Sequence, residues 1–177
     1  MRLTTLLSLL PALALAAPSP LPSTSDVKYS IPTWAKDCPT DNSLRQFPSW
    51  NDYSTAARNA CGSLLGPSKS FTATERGFRR VYFDVGTYLS TPKAPKTRPM
   101  SWEIWRRSEH FSAQVVPMEL CTHMFTYLDP TGAAGKQDVC VVQRSDGVKE
   151  LLVRGWKSQS SQEGFATLDF EVYPGIL

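Results

Sequence analysis

Several kinds of chemistry are disfavoured by what this sequence has little of. It holds only two histidines, His110 and His123, and its four cysteines, at positions 38, 61, 121 and 140, form no C-x-x-C pair. Structural zinc sites draw on closely spaced Cys and His ligands, so we expect no metal site and no cofactor. A Gly-x-Ser-x-Gly motif is also missing, which disfavours a Ser–His–Asp hydrolase.

Two further absences concern export and the membrane. The chain has no Asn-x-Ser/Thr sequon, so N-glycosylation is not expected, and after its first residues it has no apolar run long enough to span a bilayer. At the start, Arg2 precedes an apolar run that closes on Ala14-Leu15-Ala16. A positive start, a short apolar run and a small-x-small triplet are the three parts of a secretory signal peptide. We therefore predict a signal peptide at 1–16 and a secreted, extracellular protein.

The mature part is predicted to contain one domain. The segment 17–33 is rich in Pro, Ser and Thr and poor in large apolar residues, which is typical of a disordered leader. The remaining residues, 34–177, have the length of a single domain that can bury its own core.

An even number of cysteines in an exported chain predicts two disulfides. The spacing does not decide the pairing. We favour Cys38–Cys61 with Cys121–Cys140, because each pair would close a short connection. Pairing Cys61 with Cys121, and Cys38 with Cys140, joins the two predicted helices and stays open as the alternative.

Apolar periodicity predicts an α+β domain. Residues 51–65 repeat apolar side chains at helical spacing, and a second helix is predicted from Pro117 to the Asp129-Pro130 stop. Alternating or short apolar runs predict strands at 81–86, 102–105, 139–143, 151–153 and 166–172. The residues Ser145-Asp146-Gly147 predict a turn between the third and fourth of these strands. Strict alternation in the last strand predicts that Thr167, Asp169 and Glu171 face water. We expect two helices packed on a twisted, mainly antiparallel sheet.

Charge is distributed unevenly along the chain. The segment 69–111 holds nine basic and four acidic residues, whereas 118–177 holds five basic and eight acidic residues. A basic patch would attract an anionic ligand such as RNA, an acidic polysaccharide or an anionic membrane face. The other interpretation is that these are solvated charges neutralised by the acidic half of the domain. The candidate residues are Arg76, Arg79, Arg80, Lys93, Lys96, Arg98, Arg106 and Arg107.

Two tryptophans in one predicted strand suggest a stacking surface. Trp102 and Trp105 lie three residues apart, so in a strand they point to opposite faces. One of the two rings belongs to the core, and Trp105, beside Arg106 and Arg107, is the one that would be exposed and would stack on a sugar or a base. We favour the other interpretation, in which Trp105 packs under the Pro- and Lys-rich loop 91–99.

A hydrolase is the class-different alternative. A secreted ribonuclease needs a His or Glu as base, a second His as acid and Arg for the phosphate. Glu109, His110 and His123 supply these residue types, with Arg106 and Arg107 nearby in sequence. The cysteines are expected to be oxidised and so are not nucleophiles.

The leader ending Ala14-Leu15-Ala16-Ala17-Pro18, the Pro/Ser segment and the four scattered cysteines resemble the small secreted cysteine-containing proteins of filamentous fungi, the class of effector candidates. Residues 119–144, with Glu119-Leu120-Cys121 opening a helix and Val139-Cys140-Val141 a strand, look like a block of killer-toxin-like α/β-sandwich proteins.

That resemblance implies a non-enzymatic effector-like protein that binds a host or competitor molecule, either a protein or an anionic ligand. A cell-wall polysaccharide binder that uses Trp105 and the basic loop is the third hypothesis.

Overall fold

The structure is a computed structural model that describes residues 30–39, 46–73, 78–88, 96–106, 114–129, 135–160 and 167–174. The predicted signal peptide (1–16) and all but the last residues of the predicted leader (17–33) lie outside these ranges. Most of the predicted 91–99 loop also lies outside them.

Two helices are present in the described ranges. Helix α1 spans Trp50–Leu65; the Ser49 hydroxyl caps it by accepting from the Asp52 N–H, and it ends at Gly66 with a φ of 71°. Helix α2 spans Met118–Thr126, a shorter element than predicted. Pro117, which was expected to begin this helix, is its N-cap residue in extended backbone conformation.

Seven strands form two sheets within the same ranges. The main sheet has the order β2-β3-β7-β6-β5, and a separate pair joins β1 to β4; all strand pairs are antiparallel. The bounds are β1 Ser70–Ala73, β2 Phe78–Gly86, β3 Thr97–Arg106, β4 Gln114–Pro117, β5 Gly135–Gln143, β6 Lys149–Ser160 and β7 Leu168–Pro174. The predicted turn at Ser145-Asp146-Gly147 connects β5 to β6, and Gly147 has a φ of 81°, a left-handed conformation that favours glycine.

The helices cover one face of the main sheet, and the core lies between them. Phe125 on α2 packs edge-on against Trp102 of β3 and Phe170 of β7, while Tyr53 on α1 lies against Trp102 at 5.1 Å between ring centroids. We call this side of the sheet the core side. The α+β prediction, with two helices on a mainly antiparallel sheet and two disulfides, is confirmed at this level. The β1–β4 pair was not predicted.

The predicted disulfide pairing was wrong. The bonds are Cys61–Cys121 and Cys38–Cys140, which is the alternative that the sequence left open. Cys61 and Cys121 meet because α1 and α2 lie side by side on the core side, and both are fully buried. Cys38 meets Cys140 because the segment before it bridges to β5, where the Cys38 N–H donates to the Val141 carbonyl at 2.7 Å.

In the part of the chain that the structure describes, neither helix is long and apolar enough to cross a membrane.

Candidate functional site

The face of the main sheet opposite the helices is polar and aromatic, and we call it the outer face. Alternation along β3 places Met100, Trp102 and Ile104 in the core and turns the residues between them outward. The strand register assigns matching positions on the neighbouring strands. The outer face comprises Phe78, Arg80, Tyr82 and Asp84 of β2; Ser101, Glu103 and Trp105 of β3; Asp169, Glu171 and Tyr173 of β7; and Lys157 and Gln159 of β6.

One row of charges crosses this face from strand to strand. Arg80 is opposite Glu103, Glu103 is opposite Glu171, and Glu171 is opposite Lys157. Opposite residues have Cβ atoms about 4.5–5.5 Å apart. The order along the row is therefore cation, carboxylate, carboxylate, cation over four strands. Each carboxylate has one cation beside it.

Glu103 accepts three hydrogen bonds from side chains of the outer face. Its Oε1 accepts from Arg80 Nε at 2.6 Å and from Ser101 Oγ at 3.1 Å, and its Oε2 accepts from Trp105 Nε1 at 2.8 Å. Glu103 is only 4% exposed. The bond to Glu103 in turn raises the pKa of the Arg80 guanidinium above its usual value. The carboxylate thus fixes the positions of an arginine and a tryptophan at the surface.

Glu171 forms the second half of the network. One of its oxygens is paired with Lys157 Nζ, and the other accepts from the Tyr173 hydroxyl. Beside it, Asp169 accepts from Gln159 Nε2 at 2.9 Å. The predicted water-facing side of the last strand is therefore buried, with Asp169 2% and Glu171 9% exposed. The prediction was wrong here because β7 lies between β3 and β6, whose longer side chains flank the short acidic ones.

The ionisation of the Tyr173 hydroxyl can be followed by absorbance and reports on this network. Burial, and then its hydrogen bond to Glu171, raise the pKa of Tyr173 from 10.0 to about 12. Because the folded value is raised, the favourable contribution is fully present below the unfolded value and is lost as pH rises toward 12. We expect the difference between the alkaline absorbance titrations of the native chain and Tyr173→Phe to have its midpoint near 12. A difference curve centred at the value of an unperturbed tyrosine would contradict the network.

Exposed aromatic rings lie next to the charge row. Trp105 is 37% and Phe78 41% exposed, and their ring centroids lie 4.2 Å apart. The Arg80 guanidinium carbon lies 4.9 Å from the centre of the Phe78 ring, and Tyr82, 63% exposed, lies on its other side. Trp102 is buried while Trp105 faces outward. The rings form a strip of aromatic surface held in place by the network beneath it.

The predicted basic residues do not form one patch. Arg79 lies on the core side, where it stacks on Phe71 and donates to the Leu64 carbonyl. Arg106 is 6% exposed and donates to the Ala73 carbonyl at 3.1 Å, and Arg98 stacks on Phe47. Lys96 is exposed just before β3.

Alternation explains this separation, because consecutive residues of a strand point to opposite faces. Arg80 and Trp105 are the two predicted binding residues that the structure brings together, within the ranges described. Arg76, Lys93 and Arg107 lie outside those ranges.

The alternative catalytic residues are not assembled by the described part of the chain. His123 lies exposed in the last turn of α2, with its ring stacked on Tyr127 at 4.8 Å between centroids. His123 is therefore on the core side of the main sheet, where the helices lie, and away from the outer face. Glu109 and His110 lie outside the described residues.

The residues that build the outer face were not predicted from the sequence. Glu103, Glu171 and Tyr173 were not singled out as site residues, although the acidic positions alternate with core residues in their strands. The available signal was an acidic residue between apolar residues in each of two strands with alternating polarity. Their meeting depends on β3 pairing with β7, which is a contact between distant parts of the chain.

Among the described residues, no group of three or more His, Cys, Asp or Glu is placed to hold a metal ion. Comparison of the chain with protein-family models, with curated proteins and with solved structures finds no match.

The outer face carries more carboxylates than cations. Arg80 and Lys157 face four carboxylates, of which Glu103, Glu171 and Asp169 accept hydrogen bonds from neighbouring side chains while Asp84 is exposed. What remains available to a ligand is aromatic surface edged by hydroxyl, amide and guanidinium groups and by the Asp84 carboxylate. Such a surface is suited to binding a flat, uncharged, hydrogen-bonding ligand.

Proposed function

We propose that this chain is a secreted, non-enzymatic binding protein of the effector type, and that its outer face binds neutral cell-wall polysaccharide. The observation that carries the proposal is the exposed Phe78–Trp105 pair, which lies directly beside the bonded charge row. This ligand, cell-wall polysaccharide, is that of the third hypothesis drawn from the sequence. The proposed surface keeps Trp105 from that hypothesis and does not include the basic loop.

Stacking on sugar rings supports the choice of ligand. A pyranose ring presents C–H groups on one side, which pack against the face of an aromatic ring, while its hydroxyls seek hydrogen bonds at the ring's edge. Trp105 offers such a face at 37% exposure, and its indole orientation is fixed by the bond to Glu103. A fixed ring loses little conformational entropy on binding, so more of the contact energy remains as affinity.

The charge distribution disfavours a polyanion as the ligand. Proteins that bind RNA or acidic polymers concentrate Lys and Arg on one surface. Here, alternation directs Arg79, Arg98 and Arg106 to the core side, and the cations of the outer face are paired with Glu103 and Glu171.

The bonding of the carboxylates supports binding rather than hydrolysis. Glu103 and Glu171 are cross-strand neighbours, and a retaining glycosidase needs two carboxyl groups about 5–5.5 Å apart. One of them must carry a proton to act as general acid. In this network both oxygens of each carboxylate already accept from neighbouring side chains, which leaves neither carboxylate to face a ligand as a general acid.

Export is supported by the disulfides as well as by the signal peptide. All four cysteines are paired, and disulfides form and persist mainly in oxidising compartments. Secretion places the outer face where extracellular polysaccharide is available.

The test is retention of the purified, oxidised protein on insoluble chitin and on insoluble β-glucan. We expect retention on one of them, weakened about tenfold or more by Trp105→Ala, because truncating a central tryptophan of a binding surface costs about 2 kcal/mol or more and about 1.4 kcal/mol corresponds to tenfold in affinity. Tyr127→Ala is the matched control: Tyr127 is 45% exposed but lies on the helix side, and its removal should leave retention unchanged.

Four results would contradict the proposal. Retention that Tyr127→Ala weakens as much as Trp105→Ala does would contradict it, and so would no retention on either polymer. Degradation of RNA by the native protein that His110→Ala and His123→Ala abolish would instead establish the hydrolase. Release of soluble sugar that Glu103→Gln abolishes would likewise show an enzyme.

A further inference from the structure

Strand β2 is an edge strand whose sequence is complementary to itself. In the strand order of the main sheet it has a neighbour, β3, on one side, and within the described ranges no strand pairs with its other side. Its outer-face residues are well exposed, and Val81 and Phe83 on its core side are only partly buried. Unpaired strand edges of this length are templates for pairing with another chain.

We propose that two copies of this chain pair antiparallel through β2, so that the two main sheets become one continuous sheet. A twofold axis perpendicular to the sheet gives antiparallel strands and keeps both outer faces on the same side. This proposal is independent of which ligand the outer face binds.

Charge selects the register of the pairing. With Tyr82 opposite Tyr82 of the second copy, Arg80 is opposite Asp84 of the second copy, and the same pair occurs again on the other side of the axis. A register centred on Val81 places Arg80 opposite Tyr82, and one centred on Arg80 places the two arginines against each other. The register centred on Phe83 leaves Arg80 opposite Gly86. Only the Tyr82 register pairs opposite charges directly across the strands, which is the favourable arrangement.

The side chains are in place for this contact. Asp84 is exposed. The Arg80 side chain is 38% exposed and uses Nε toward Glu103 and Nη1 toward Tyr82, so its planar guanidinium retains a further N–H edge. Pairing would also place Phe78, Arg80 and Tyr82 of both copies on the same side of one continuous sheet, next to one another across the axis.

The first test is the mass of the oxidised chain in solution, measured by light scattering over a range of concentrations. We expect a concentration-dependent dimer that weakens as salt is added. Asp84→Lys replaces two attractions by two repulsions and should weaken dimerisation about tenfold or more. Because Asp84 is exposed, the fold should be retained, which circular dichroism checks. Asp84→Asn, which removes charge without reversing it, should give an intermediate effect.

The second test fixes the register by cross-linking. Tyr82→Cys places two thiols opposite each other across the axis, and mild oxidation should link the copies through position 82, as read by peptide mass mapping. Asp84→Cys is the control, because in this register the two introduced thiols are about 13 Å apart along the strands, too far for a disulfide. A native chain that is monomeric at every concentration would overturn the proposal. Cross-linking of Asp84→Cys as readily as Tyr82→Cys would overturn it too.

Discussion

Replacing Glu103 by Gln is expected to lower the free energy of unfolding by about 2–3 kcal/mol. Three donors converge on this carboxylate, from Arg80, Ser101 and Trp105. The amide of Gln has one oxygen and one NH₂ group, so at least one of the donors would face another donor. Removing one partner of a buried ion pair costs about 3–5 kcal/mol, and the partial exposure of Arg80 reduces that figure here.

The measurement is urea unfolding of Glu103→Gln beside Glu119→Gln. Glu119 is exposed in the first turn of α2, where its charge interacts with the helix dipole and contributes less than about 1 kcal/mol. A loss for Glu103→Gln no larger than that of Glu119→Gln would show that the bonded network does not hold the outer face together.

Removing the Cys61–Cys121 disulfide by the paired substitution Cys61→Ala and Cys121→Ala is expected to lower the free energy of unfolding by about 4 kcal/mol. The bond closes a connection with a sequence separation of 60 residues, so it restricts the unfolded chain strongly. It also joins α1 to α2 at two fully buried positions. Urea unfolding of the oxidised proteins measures the loss.

The same variant tests the connectivity. If Cys38 is bonded to Cys140, the paired variant keeps that disulfide and contains no free thiol. If Cys38 were instead bonded to Cys61, and Cys121 to Cys140, the variant would contain two free thiols. A thiol titration under denaturing conditions distinguishes the two results, and two thiols would contradict the structure.

Local patterns predicted most of the elements. Helix α1 was predicted from apolar residues at helical spacing, and the hairpin turn at Ser145-Asp146-Gly147 from its composition. The β1–β4 pair was missed because each strand has four residues, too few for alternation to stand out. Apolar spacing and turn composition are properties of short segments. The elements that were not predicted are therefore those whose own sequence pattern is weak.

Contacts between distant segments could not be predicted in the same way. The disulfide pairing depends on α1 and α2 lying side by side, and the spacing of Cys61 and Cys121 does not contain that information. Glu103 and Glu171 likewise meet only because β3 and β7 are neighbours in the sheet. An acidic residue in an alternating strand suggests that this face of the strand is exposed to solvent. Whether it is exposed depends on the side chains of the neighbouring strands, which the local pattern does not specify.

The basic patch shows how composition alone misleads. Arg79 and Arg80 are adjacent in sequence, yet one stacks on Phe71 on the core side and the other bonds Glu103 on the outer face. The strand alternation already predicted from Val81, Phe83 and Val85 implied this separation. Applied to the basic residues and tryptophans of β2 and β3, the same alternation would have assigned Arg80 and Trp105 to one face and the others to the opposite face.

The central claim is that the outer face binds polysaccharide through Trp105. Its most direct test is an NMR titration of the ¹⁵N-labelled protein with soluble oligosaccharides of chitin and of β-glucan, following the indole N–H resonances. Trp105 donates its indole N–H to Glu103 on the outer face, whereas Trp156 donates to the Met124 carbonyl in the core. We expect one of the oligosaccharides to shift the Trp105 indole resonance and to leave that of Trp156 unchanged. A Trp105 resonance that neither oligosaccharide moves would contradict the account.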